Sequence, residues 1–216
     1  FLGLCYVMII PMNATALCLV FRAVYGDILQ FGFHYKIAGY DIYFGEVILA
    51  LASLLIFAYV NLAGVRIAGI VQTIFVILLL SGILIISIAS IISPCVEKSH
   101  LLPMFHPRDA EHGNAIAQIL GILAVAPWAF VGFDTVPQFS EEAGFSHDRA
   151  KIIMDTSILC GAFVYIILAF VSASAFPENY SNWVEYVNDL PNLTGIKSIT
   201  TFSAAYKILG NAGVFV

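Results

Sequence analysis

The sequence predicts an all-α polytopic membrane protein, and three observations carry that prediction. Hydrophobic residues make up 61% of the 216 positions and charged residues only 11%, where soluble domains carry about a quarter charged. So little polar surface leaves lipid as the natural solvent, in keeping with a mean hydropathy of +0.95. Apolar runs long enough to cross a bilayer core, about 20 residues each, recur along the chain. One of those runs is interrupted in its middle by "PWAFVGFDTVPQFSEE", residues 127–142.

The spans are expected at about 1–24, 45–63, 66–92, 114–139, 152–176 and 199–216, with the fourth broken near 127–134. They are too long and too uniformly rich in Leu, Ile and Phe for barrel strands, which run about 10 residues and alternate. The first run begins at Phe1 and the last ends at "NAGVFV", so 1–216 reads as a single transmembrane domain incomplete at both ends. "GDILQFGFHYKIAGYD" separates the first two spans, and "SPCVEKSHLLPMFHPRDAEHG" follows the third. "SEEAGFSHDRAK" follows the fourth and "FPENYSNWVEYVNDLPNLTGIK" the fifth. The short connections at 61–65 and 140–151 are flanked by Arg66, Arg149 and Lys151, while the longer loops hold most of the acids. Basic density therefore places the short connections in the cytoplasm. The sequons Asn179-Tyr180-Ser181 and Asn192-Leu193-Thr194 fall in a long loop assigned outside.

Several function classes are disfavoured. A net charge of −5 without a basic cluster argues against a nucleic-acid partner. Cys5, Cys18 and Cys160 sit in apolar runs and Cys95 stands alone in a loop, so no disulfide framework or zinc knuckle is indicated. His100, His106 and His112 recur every six residues in one loop, a spacing that matches no common metal site. Neither a metal nor a cofactor is expected. An intramembrane protease needs a Ser–His pair, an Asp pair or HExxH within the spans, and a haem subunit needs a His there. The sequence offers neither, so no enzyme is expected. A channel or receptor-like bundle, or a structural subunit, remains the alternative to a carrier.

The interrupted span carries most of the functional information. Pro127 removes a donor and crowds the preceding turn. Gly132 tolerates dihedrals closed to other residues. Thr135, Pro137 and Gln138 form a helix-start signature of cap, first-turn proline and a Gln three residues after the cap. A helix ending near Ala126, an irregular patch at 128–133 and a second helix from Asp134 follow. Irregular backbone at membrane depth survives where it lines a cavity or is buried in protein, and such discontinuous helices build substrate sites in secondary transporters. The free carbonyls of the first half suit an ammonium group, and the free N–H groups of the second suit an anion. A kink with a capped end is the plainer reading of the same residues.

"WAFVGFD" followed by "EEA", residues 128–134 and 141–143, resembles the sixth helix of permeases in the amino acid–polyamine–organocation (APC) superfamily. Hydropathy and loop lengths extend the likeness over the chain, as helices three to seven and the start of eight. The resemblance implies a partial five-plus-five inverted-repeat fold of the leucine-transporter type and a permease for amino acids or amines in the plasma membrane. It implies backbone carbonyls of Trp128, Phe130, Val131 and Gly132 around the substrate's amino group, with Trp128 closing over it; an interface anchor is the other reading of Trp128. It assigns Asp134 to gating or proton coupling, where a helix cap would equally suit a carboxylate. It places Asn13 in the pocket, against interhelical glue. Some relatives carry a lysine in helix five in place of a sodium ion. Span 66–92 has Ser81, Ser87 and Ser90 and no lysine, so the coupling ion, H+ or Na+, stays open, as do substrate identity and oligomeric state.

Overall fold

The computed structural model describes residues 2–37, 40–94, 96, 98–103, 115–130, 132 and 146–215. Helix α1 (Leu2–Tyr25) runs through Pro11 and ends in a 3-10 turn at Gly26–Leu29. A hairpin of β1 (His34–Ile37) and β2 (Tyr40–Tyr43) follows, antiparallel, with His34 opposite Tyr43 and Ile37 opposite Tyr40. Then come α2 (Phe44–Leu62), α3 (Val65–Ile92), α4 (Ala115–Ala129) and α5 (His147–Ser174). Two shorter helices, α6 (Trp183–Asp189) and α7 (Thr200–Leu209), close the chain. The hairpin was not foreseen in "GFHYKIAGYD"; its aromatic and branched residues favour extended chain once two short runs can pair.

Among the described residues, four helical segments are long and apolar enough to cross a membrane: Val7–Leu29, Phe44–Leu62, Val65–Ile92 and Asp148–Ser174. Their outer surfaces are what lipid requires. On α3 only Gly82 and Ser90 are buried, while Ile91 is 84% exposed and Leu79 62%. A contiguous apolar surface of that extent is incompatible with water. Serine hydroxyls within α3 and α5 are satisfied by carbonyls of the preceding turn, because lipid offers them nothing. Ser81, Ser87 and Ser90 donate to the carbonyls of Leu78, Ile83 and Ser87 at 2.8, 2.6 and 2.7 Å. Ser157 does the same to Ile153.

Two joints set the arrangement. Helices α2 and α3 are joined in the chain by only Ala63 and Gly64. Ala63 N–H bonds back to Tyr59 at 2.9 Å and Gly64 N–H to Asn61 at 3.1 Å. Gly64 has φ +109, a region that side chains with a Cβ rarely enter. The α1–α2 corner is held by charge. Arg22 donates from Nε to Glu46 Oε1 at 2.7 Å and from Nη2 to Glu46 Oε2 at 2.6 Å. Nη2 also reaches the Asp41 carbonyl at 2.9 Å. Glu46 further accepts the Tyr43 N–H at 3.1 Å, capping α2. The Glu46 side chain is 6% exposed and that of Arg22 30%.

The small core sits where α3, α5 and α7 meet. Val171, Ala175 and Ala204 are buried there, with Ile86, Ile167 and Ile208 packed around them. Beside it, His100 donates from Nδ1 to the buried Ser174 carbonyl at 3.0 Å, since a carbonyl can only accept. The His100 ring stacks on Phe176 at 5.0 Å, and Lys207 caps the Phe176 carbonyl at 2.8 Å. The segment joining α5 to α7 is knitted by its own side chains. Tyr180 donates to Asp189 at 2.5 Å, Asn182 caps α6 through Glu185 N–H at 2.9 Å, and buried Tyr186 donates to the Lys197 carbonyl at 2.7 Å.

Candidate functional site: the end of helix α4

Within the described residues helix α4 runs over 15 residues, about 22 Å at 1.5 Å per residue. Its sequence, AIAQILGILAVAPWA, is apolar but for Gln118, so nothing in composition alone stops it at Ala129. The expected end near Ala126 lies three residues too early. Pro127 lies inside the last turn, as Pro11 does inside α1; proline is tolerated in such helices because neighbouring groups take up the freed carbonyl. The chain leaves the helix at Phe130 and reaches Gly132 at φ +109. A Cβ added to Gly132 would meet nothing within 4 Å. The demand for glycine there is therefore conformational, not steric crowding.

Helix α5 receives this end. The Tyr165 hydroxyl donates to the Ala129 carbonyl at 2.9 Å, one of the last-turn carbonyls that an α-helix leaves without an internal partner. The Phe130 ring lies edge-on to the Tyr165 ring, with centroids 5.8 Å apart and planes at 71°. One turn back, Gly161 faces Phe130: a Cβ on it would sit at ordinary contact distance, 3.5 Å, from the ring. Gly161 and Tyr165 are four residues apart and so share a helix face. Together they form a seat for the residue at the break. The carbonyl end of α4 carries partial negative charge, and no acidic side chain of α5 contacts it among the described bonds. The arrangement offers neutral acceptors, suited to a cation that would otherwise be costly to hold in the membrane.

Of the residues singled out from the sequence, Phe130 and Gly132 lie at this end. Trp128 is in the last turn of α4, but its side chain lies outside the described structure, as do Val131 and Asp134 entirely. The helix-start residues 135–138, Glu141, Glu142, Cys95, His106 and His112 are likewise outside it. Asn13 is exposed on α1, whose main neighbours are α2 and the 3-10 turns at Gly26–Leu29 and Gly195–Ser198. Among the described residues no three His, Cys, Asp or Glu side chains gather closely enough to hold a metal. An open groove of about 480 Å³ between α2 and α3, lined by Phe57, Asn61, Gln72 and Phe75 among others, shares no residue with the break.

Sequence reasoning missed Gly161, Tyr165, Arg22 and Glu46. A signal existed for each pair. A tyrosine in mid-span carries a hydroxyl that needs a partner in lipid, and Gly161 lies one turn from it on the same helix face. Arg22 and Glu46 are opposite charges at adjoining ends of consecutive spans, where ionisable groups are expected to pair.

Comparison with known proteins yields no match among curated proteins and none among solved structures. A family model described as amino acid permease matches residues 2–216. That match covers nearly the whole chain and agrees with an apolar helical fold whose fourth long apolar run contains α4. The chain is therefore a member of the amino acid permease family.

Proposed function

We propose that the protein is a secondary active transporter that moves amino acids or related organic amines across the plasma membrane by alternating access. The observation that carries this reading is the termination of α4 at Ala129, with the chain turning at Gly132, in a member of a permease family. The substrate ammonium docks at the carbonyl end of α4, around Trp128, Phe130, Val131 and Gly132. Trp128 closes over it, a cation–aromatic contact worth roughly 0.5–2 kcal/mol. Asn13 joins the pocket from α1 when the helices reposition. Asp134 begins the second half-helix and couples gating to proton or sodium entry. No covalent step is needed, so no residue acts as a chemical catalyst. The fold supporting this is the inverted repeat of the leucine-transporter type, of which α1 to α7 supply the middle part.

Counterflow in proteoliposomes containing the full-length protein tests the proposal. The panel is labelled neutral, cationic and acidic amino acids, polyamines and ethanolamine, with and without an inward proton gradient. Saturable exchange of one class supports a carrier and names its substrate. Flux that rises linearly without counterflow would instead identify a pore. Silence across the panel from folded protein would remove transport of these substrates as the function.

A further inference from the structure

We infer that Tyr165 is a positioning residue for the substrate carbonyls, holding the Ala129 carbonyl in the direction in which a bound ammonium needs it; this rests on the transporter reading above. Three observations converge. The Tyr165 hydroxyl donates to the Ala129 carbonyl at 2.9 Å across a separation of 36 residues. Its ring meets the Phe130 ring edge-on at 5.8 Å. Gly161, on the same face of α5, lies against the Phe130 ring, a Cβ there standing at ordinary contact distance, 3.5 Å.

The last carbonyls of a helix have no partner within it, so their directions are free to fray unless something outside holds them. A hydroxyl from a neighbouring helix does that without adding a charge. A carbonyl oxygen has two lone pairs. Accepting from Tyr165 occupies one and leaves the other for an ammonium donor. The bond also fixes the peptide plane between Ala129 and Phe130, the first beyond the helix. Tyr165 thus ties α5 to the broken end of α4 at the point where substrate binds. A substrate that draws the Ala129 carbonyl toward itself draws on α5 as well.

The test uses full-length protein in proteoliposomes, with labelled leucine, arginine and glutamate as probes. Tyr165→Phe keeps the ring against Phe130 and removes only the donor. The expected result is a rise in KM of about three- to tenfold, the range one hydrogen bond is worth, with Vmax and membrane abundance unchanged. A purely structural role would lower abundance or Vmax and leave KM where it was. Tyr165→Leu, lacking hydroxyl and ring, is the second variant and should raise KM at least as far. Gly161→Leu, which would push the Phe130 ring from its place beside Tyr165, should raise KM as well. Wild-type exchange with an unaltered KM in both Tyr165 variants overturns the inference and leaves the transporter reading standing. Wild-type protein that exchanges none of the probes overturns the transporter reading for them, and the inference with it.

Discussion

Removing either member of the Arg22–Glu46 pair should destabilise the protein unequally, in an order the structure dictates. Glu46 is the more deeply buried, with its side chain 6% exposed against 30% for Arg22. Arg22→Met strips Glu46 of two charge-assisted hydrogen bonds, at 2.7 and 2.6 Å, and leaves its carboxylate only the Tyr43 N–H at 3.1 Å. Breaking a buried pair from one side costs about 3–5 kcal/mol, and Arg22→Met should fall near the lower end because the corner lies beside a loop. Glu46→Gln leaves an arginine that keeps the Asp41 carbonyl at 2.9 Å and can reach solvent. Its cost should be nearer one charge-assisted bond, about 1.5–3 kcal/mol. The double variant Arg22→Met/Glu46→Gln should be less destabilised than the two singles summed, since the stranded charge is gone. Thermal unfolding in detergent, followed by tryptophan fluorescence on all four proteins, reads the order directly. A double variant that equals the sum of the singles, or a Glu46→Gln variant less stable than Arg22→Met, would refute the reasoning.

Gly45→Ala should destabilise by about 1–3 kcal/mol, because its Cβ would lie 2.3 Å from the Leu29 carbonyl and 2.6 Å from Phe31; detergent melting temperatures check it. Gly132→Val should depress transport more than it lowers abundance, since the φ of +109 costs roughly 1–2 kcal/mol for a residue with a Cβ. In the segment after α5, the hydrogen bond from Tyr180 holds the Asp189 carboxyl below its usual range, helped by Asn192. The same bond to Asp189 pushes the Tyr180 phenol up to about 12. The lowered Asp189 value stabilises the fold above the ordinary carboxylate range and loses that contribution as pH falls through it. The raised Tyr180 value stabilises below 10.0 and is lost as pH climbs toward about 12. Asp189→Asn should bring a tyrosinate absorbance step down in pH, and an unshifted titration would dissolve the pair. Asp134→Asn should shift the pH profile of uptake; an unchanged profile in folded protein would leave that carboxylate a capping role alone.

Hydropathy made the long apolar helices legible because lipid rewards a composition, not a pattern, and α2, α3 and α5 needed nothing further. The end of α4 was legible because Pro127 and Gly132 declare local backbone behaviour; the second half-helix expected from Asp134 lies outside the described residues. The partner of the α4 end was not legible. The Tyr165 hydroxyl bonds a backbone carbonyl 36 residues away, and a carbonyl leaves no trace in the identity of Ala129. The exact end of α4 failed for a related reason: Pro127 removes a donor, but where the helix stops depends on what meets the freed carbonyls from α5. The hairpin between α1 and α2 was read as loop because four-residue strands are too short for alternation to stand out from an aromatic-rich segment. Arg22 and Glu46 were each visible, yet their pairing depends on how α1 and α2 splay at the corner, which spacing alone does not report.

The joint at Ala63–Gly64 has a mechanical consequence. With only two residues between α2 and α3, and both N–H groups tied to the last turn of α2, the connection has no slack to pay out. Neither helix can slide along the other by even one turn, about 5.4 Å, without unwinding its own end. Any movement of this part of the protein in the bilayer must carry α2 and α3 as a single two-pronged lever, pivoting about Gly64 and sweeping most widely at the opposite membrane face.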